Sequence, residues 1–232
     1  MSRQLKIAII GDFNFTFNSH HATNMAIEHS ERLLELEVSY YWIRIKEASE
    51  MKKNAFYDFD GIWFAPGDSE SIFYVTNILH TVVQLEIPVL ITGEAFKSFI
   101  DLLIASYNLN PNKEKLISEN LVDGDKFEPI EVYPVSPQLQ KLYAAHTRQE
   151  LSSSRYSLYP SLINYLKDEV IDIEALNQFE EPEIISLKNH NFCVASMFCP
   201  QICSTREMPH PLITAFFNIS HQLNEKVQPK IG

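Results

Sequence analysis

Three short polar segments hold the side chains most suited to binding or catalysis. Gly11-Asp12-Phe13-Asn14 follows one apolar run, Pro66-Gly67-Asp68-Ser69-Glu70 follows another, and Thr92-Gly93-Glu94-Ala95 forms a turn after a third. Asp12, Asp68 and Glu94, if gathered, would raise one another's pKa and could bind a divalent cation or act as a general base. No metal-ligand spacing links them, so solvated loop residues are the simpler expectation. Asn14, Gly67, Ser69 and Lys97 complete the candidate ligand cleft, with Lys97 placed to pair with Glu94 at i, i+3. Cys193, Cys199 and Cys203 are an odd set whose spacing matches no common zinc pattern, so free thiols are expected and no metal or cofactor is assigned. Cys199 could be a nucleophile if the fold brings His190, His210 or His21 to it as a base. A packed thiol is the simpler expectation. His20 and His21 are adjacent on a helix and point apart, so N-terminal helix polarity explains them better than a metal pair does.

The apolar runs that carry these turns read as buried strands. Leu5 to Ile10 ends at Gly11-Asp12, Gly61 to Phe64 precedes Pro66-Gly67, and Val89 to Ile91 precedes the Thr92-Gly93 turn. Val38 to Ile45, rich in β-branched and aromatic residues, is a further strand. Helices fall between them: His20 to Leu36 is amphipathic, Ile72, Val75, Leu79 and Val82 share one stripe, and Ala95 to Tyr107 follows the third polar turn. Parallel neighbours need a crossover long enough for a helix, so this alternation predicts a doubly wound, mostly parallel α/β sheet in three layers. In such a sheet the ligand crevice lies beyond the carboxyl ends of the strands, where the three polar segments would converge. From Asn110 to Pro182 the pattern blurs, leaving a hairpin around Phe127 to Tyr133 and a short helix around Leu162 to Lys167. Strands near Ile184 to Leu187 and Phe192 to Ser196 then lead to a helix from Pro211 to Leu223.

Composition narrows the classes of partner. The 232 residues, 45% of them hydrophobic, suit one unit spanning 1–232 better than two. The formal charge of −11 would repel a phosphate backbone or an anionic membrane, so neither nucleic acid nor membrane is an expected partner. The N-terminal apolar run is too short for a signal-peptide core, and no apolar run approaches a membrane span, which points to a soluble cytoplasmic chain.

The polar turns also carry a resemblance. Ile10-Gly11-Asp12-Phe13, then Asp60-Gly61-Ile62-Trp63-Phe64-Ala65-Pro66-Gly67, then Ile87-Pro88-Val89-Leu90-Ile91-Thr92-Gly93 resemble the class I glutamine amidotransferase domain of CTP synthase and its stand-alone relatives. Phe198-Cys199-Pro200-Gln201 stands where that family has Phe-His-Pro-Glu, and His210-Pro211-Leu212 resembles its closing His-Pro-Leu helix. The resemblance covers the chain in order, is weakest between Asn110 and Pro182, and implies a flavodoxin-like core.

In that family a cysteine on the elbow after the fourth strand attacks glutamine and is activated by a histidine and a glutamate. Aligning Thr92-Gly93-Glu94-Ala95-Phe96 with the family's Thr-Cys-Gly-Gly-Phe puts Gly93 at the nucleophile, with Cys199 and Gln201 in place of the histidine and glutamate. Glycine cannot form a thioester, and removing the nucleophile of a comparable triad costs on the order of 10⁶ in rate. Glu94 would set a carboxylate beside the oxyanion position and repel an anion there. The resemblance therefore implies an amidotransferase-like protein without glutaminase activity, binding a small polar ligand or a partner protein beside nucleotide metabolism. The alternative is a hydrolase or transferase with chemistry relocated to Cys199 or to Asp68 and Glu94. The chain has no Walker-type glycine loop, so it cannot make CTP alone. A homodimer is a further expectation for its exposed apolar residues.

Overall fold

A computed structural model describes residues 4–67, 71–121, 127–152 and 154–227. Asp68, Ser69 and Glu70 of the second polar segment lie outside the described residues. In chain order the elements are β1 (Leu5–Ile10), α1 (Asn18–Leu34), β2 (Val38–Ile43), α2 (Ile45–Glu50), β3 (Gly61–Phe64), α3 (Ile72–Val82), β4 (Val89–Thr92), α4 (Ala95–Ser106), β5 (Ile117–Leu121), β6 (Glu128–Pro134), α5 (Pro137–Leu142), β7 (Gln149–Ser152), β8 (Ser154–Leu158), α6 (Pro160–Glu169), β9 (Ile171–Asn177), β10 (Pro182–Leu187), β11 (Cys193–Ser196) and α7 (Pro211–Val227). Among the described residues they form a nine-stranded sheet in the order β2-β1-β3-β4-β11-β10-β9-β6-β7, with β5 and β8 as a separate antiparallel pair.

The strands β2, β1, β3, β4 and β11 are mutually parallel, giving the doubly wound core that the alternating pattern predicts. Burial on both faces explains why these strands lack a polar side. In β1, Ala8 and Ile10 pack against the α2, α3 and α4 side, while Ile7 and Ile9 pack under α1 and α7 with Phe216 and Phe217. Two helical layers around one sheet follow from that alternation. Gly61 sits where α7 presses hardest on the sheet: a Cβ there would lie 2.7 Å from both Phe216 Cζ and Ser220 Oγ.

Beyond β11 the sheet turns antiparallel through β10, β9, β6 and β7. The short turn between Leu187 and Cys193 leaves no room for a crossover helix, so those strands can only run oppositely. The hairpin expected around Phe127 to Tyr133 is not formed: Glu128–Pro134 is one strand, with Ile130 and Val132 buried at period two, and its partners are β7 and β9. The segment has no two-residue Gly-bearing turn that would fold it back on itself. The short helix expected over 162–167 is present as α6. Among the described residues no helix is long and apolar enough to cross a membrane.

Candidate functional site

The turn from β4 into α4 is sharp, and its shape follows from the residues around it. Thr92 is fully buried; its hydroxyl accepts from Trp63 Nε1 (3.1 Å) and donates to the Phe64 carbonyl (3.0 Å), tying the end of β4 to β3. Replacing Thr92 with valine keeps the shape but leaves the buried Trp63 N–H without an acceptor. Thr92→Val should lose about 1–3 kcal/mol, read from the urea midpoint at unchanged slope. Gly93 then adopts φ +62°, the left-handed region, and its N–H is shared by the carbonyls of Ser196 (3.1 Å) and Phe198 (3.3 Å). A Cβ on Gly93 would stand 2.6 Å from Pro66 Cβ and 3.2 Å from Cys199 Sγ. The two positions that the resemblance aligns with nucleophile and base are thus neighbours in space. Gln201, aligned with the glutamate, is 1% exposed, and neither atom of its amide has a hydrogen-bond partner among the described residues.

Glu94 turns back across the same crevice. Its Oε2 accepts the Gly67 amide at 2.8 Å, so a carboxylate of the chain itself occupies a backbone N–H of the loop after β3. Gly67, at φ +129°, holds a conformation that suits glycine, and a Cβ there would meet His20 Nε2 at 3.1 Å. His20 is 2% exposed and joins two loops. Its Nδ1 accepts from the Asn14 amide (2.8 Å), its Nε2 donates to the Pro66 carbonyl (2.8 Å), and its ring stacks on Phe13 with centroids 5.7 Å apart. The helix-polarity reading of His20 is therefore replaced: the ring is spent on fastening the loops after β1 and β3. His21 differs, since its Nε2 donates to the Phe15 carbonyl at an exposed position.

The structure gathers only some of the candidate residues. Gly67, Glu94 and Lys97 line a cavity of about 150 Å³ at the carboxyl ends of β1, β3 and β4, together with Ile72, Ser98 and Tyr156. Lys97 does not pair with Glu94 as the spacing suggested. Its ammonium lies 2.9 Å from Asp101, the i, i+4 alternative on the same helix face, and 3.4 Å from Glu119 of β5. Asp12 and Asn14 do local work outside the cavity lining: Asp12 Oδ1 accepts the Ile45 amide at the start of α2 (3.3 Å), and Asn14 Oδ1 accepts from the amide and hydroxyl of Thr16. Asp68 and Ser69 lie outside the described residues, so the acidic cluster is described only for Asp12 and Glu94, which serve separate backbone amides.

Cys199 is fully buried and its amide donates to the Leu151 carbonyl at 3.0 Å. The imidazoles considered as its base are committed elsewhere. His190 donates to the Leu85 carbonyl and accepts from the Phe192 amide, while His210 Nε2 donates to Glu150 and its Nδ1 accepts from the Leu212 amide. Burial pushes the Cys193 thiol up to about 12. Burial, then the neighbouring Glu150 carboxylate, raise Cys203 equally far. Neither is a thiolate at neutral pH, which removes both as nucleophiles in their present surroundings.

No family model and no curated protein matches the chain. Solved structures do. The glutaminase domain of CTP synthase from Trypanosoma brucei, with bound acivicin, superposes with a TM-score of 0.77 at 17% identity, covering 94% of each chain. A GMP synthase subunit from Thermoplasma acidophilum gives a TM-score of 0.59 at 11% identity, over 97% of this chain and 98% of its own. A ThuA-like protein from Bacteroides uniformis gives 0.58 at 7% identity, over 94% and 91%. At these identities the likeness establishes the fold: the chain has a class I glutamine amidotransferase-like architecture.

Proposed function

We propose that this chain is a non-hydrolysing glutamine amidotransferase-like protein that acts by binding in or around the crevice at the ends of β1, β3 and β4. The observation that carries the reading is the elbow at Gly93. Its backbone has the left-handed turn that presents a nucleophile, yet the residue has no side chain, and Pro66 occupies the space a side chain would enter. Two further features support it. Glu94 fills the Gly67 amide, a donor that an oxyanion would otherwise use, so developing negative charge would meet a carboxylate instead of an N–H. The cavity among the described residues, about 150 Å³, is also smaller than the roughly 300–1,000 Å³ of common ligand pockets, which suits a small polar ligand or a partner protein's side chain. The likeness to a CTP synthase glutaminase domain suggests a setting beside pyrimidine nucleotide metabolism, with any synthetase supplied by another chain.

The test is chemical. The purified protein should release no ammonia from glutamine above background and should not be labelled by a diazo-ketone analogue of glutamine. Stoichiometric labelling, with both labelling and ammonia release abolished in Cys199→Ala, would establish the relocated-chemistry alternative and end this proposal. Binding is read separately: a thermal-shift screen of glutamine, nucleotides and small polar metabolites should give a concentration-dependent stabilisation with at least one class.

A further inference from the structure

A second polar cluster, none of whose members lines the crevice, is built from the C-terminal half of the chain. Glu150 of β7 and His210 before α7 are fully buried, and His146 stands in the turn that leads into β7 with its side chain 4% exposed. His210 Nε2 donates to Glu150 Oε1 at 2.9 Å, the Tyr143 hydroxyl donates to the same oxygen at 3.2 Å, and His146 Nδ1 lies 3.9 Å from it. The two imidazoles meet edge to face with centroids 4.7 Å apart. One ligand atom from each of His146, Glu150 and His210 falls within 4.8 Å of the other two.

Two buried atoms in this cluster have no hydrogen-bond partner among the described residues: Glu150 Oε2 and His146 Nε2. Both are acceptors. The Nδ1–H of His146 donates to the Thr147 carbonyl at 2.7 Å, which fixes the tautomer and leaves Nε2 with a bare lone pair. That is how a metal-ligating histidine is commonly held, its other nitrogen anchored on a backbone carbonyl. An unpaired carboxylate oxygen beside an unpaired imidazole nitrogen, both out of water, is costly unless something positive stands between them. A groove of about 470 Å³, lined by His146, Glu150, Cys203 and Thr205 among others, reaches the cluster from the surface and provides an entry path.

We propose that His146, Glu150 and His210 hold a divalent transition-metal ion of the zinc class, with a fourth coordination position open to this groove. Two imidazoles and one carboxylate are the borderline donors that such ions favour over magnesium or calcium, and three protein ligands with an open place are the arrangement of zinc sites that bind water or substrate. Coordination by His210 moves its ring proton from Nε2 to Nδ1 and gives up the 3.2 Å contact from the Leu212 amide, while the Tyr143 hydroxyl stays as an outer donor to Glu150. The cysteine spacing excluded a common zinc motif, and this site is independent of it: none of the three ligands is a cysteine.

The test uses the whole chain, stripped with a chelator, dialysed, and titrated with zinc by calorimetry and with cobalt(II) by visible absorption. About one equivalent should bind, with cobalt giving the intense d–d bands of a tetrahedral site. His146→Ala and Glu150→Gln should each weaken binding by more than the roughly 10–100-fold that loss of an outer partner costs. His146→Ala lies in a turn and should keep the wild-type circular dichroism, so its loss of metal reads coordination even where a change at buried His210 fails to fold. A wild-type chain that takes up no stoichiometric zinc, or variants that both bind as the wild type does, would overturn the proposal.

Discussion

Gly93→Cys is expected to produce a less stable protein that still releases no ammonia from glutamine. The substitution restores the residue type that the amidotransferase elbow uses, but not the space for it. The new Cβ would lie 2.6 Å from Pro66 Cβ, a contact that must be relieved by moving backbone, and the residue would sit at φ +62°. Left-handed strain on a non-glycine residue costs on the order of 1–3 kcal/mol, and overpacking a tight site about as much again. The thiol would also face Cys199 where a base is needed, and Glu94 would keep the Gly67 amide occupied. Urea denaturation should show the midpoint falling at unchanged slope, and a coupled ammonia assay should stay at background. Recovery of glutamine hydrolysis by this single change would show that the crevice is still a glutaminase site lacking only its nucleophile.

His20→Ala should be the most damaging substitution near the crevice. The ring satisfies the Asn14 amide and the Pro66 carbonyl together, and it packs among Phe13, Phe17 and Trp42, with the Trp42 centroid 5.0 Å away. Each buried backbone group left without a partner costs about 1–3 kcal/mol, reduced where water reaches the opened loop. A net loss of about 2–4 kcal/mol is expected. Hydrogen exchange should accelerate selectively at residues 12–17 and 65–67, while the β5–β8 pair keeps its protection. Uniform loss of protection across the chain would mean that His20 supports the global core and not the loops.

The parallel half of the fold was legible because its strands are buried on both faces. Leu5 to Ile10 and Val89 to Thr92 read as unbroken apolar runs, and the helices between them carry single apolar stripes. The region after Asn110 was not legible for a related reason. Strands such as Glu128–Pro134 are buried on one side only, are interrupted by prolines, and find their partners far along the chain in β7 and β9. Local pattern cannot report such pairings. His146 and Glu150 lie in that region, and nothing in their spacing draws them to His210, some sixty residues further on.

The order of residues was enough to establish the alternating α/β core, the three polar turns at its strand ends, and the missing thiol at position 93, because each is a local property of side-chain type and short-range periodicity. Three things were left to tertiary packing. Glu94 lies on the Gly67 amide instead of against Lys97, His20 ties two loops together, and Glu150 meets two histidines in the interior. Each joins atoms far apart in the chain, where burial decides which donor an acceptor will find and spacing along the sequence carries no trace of the choice.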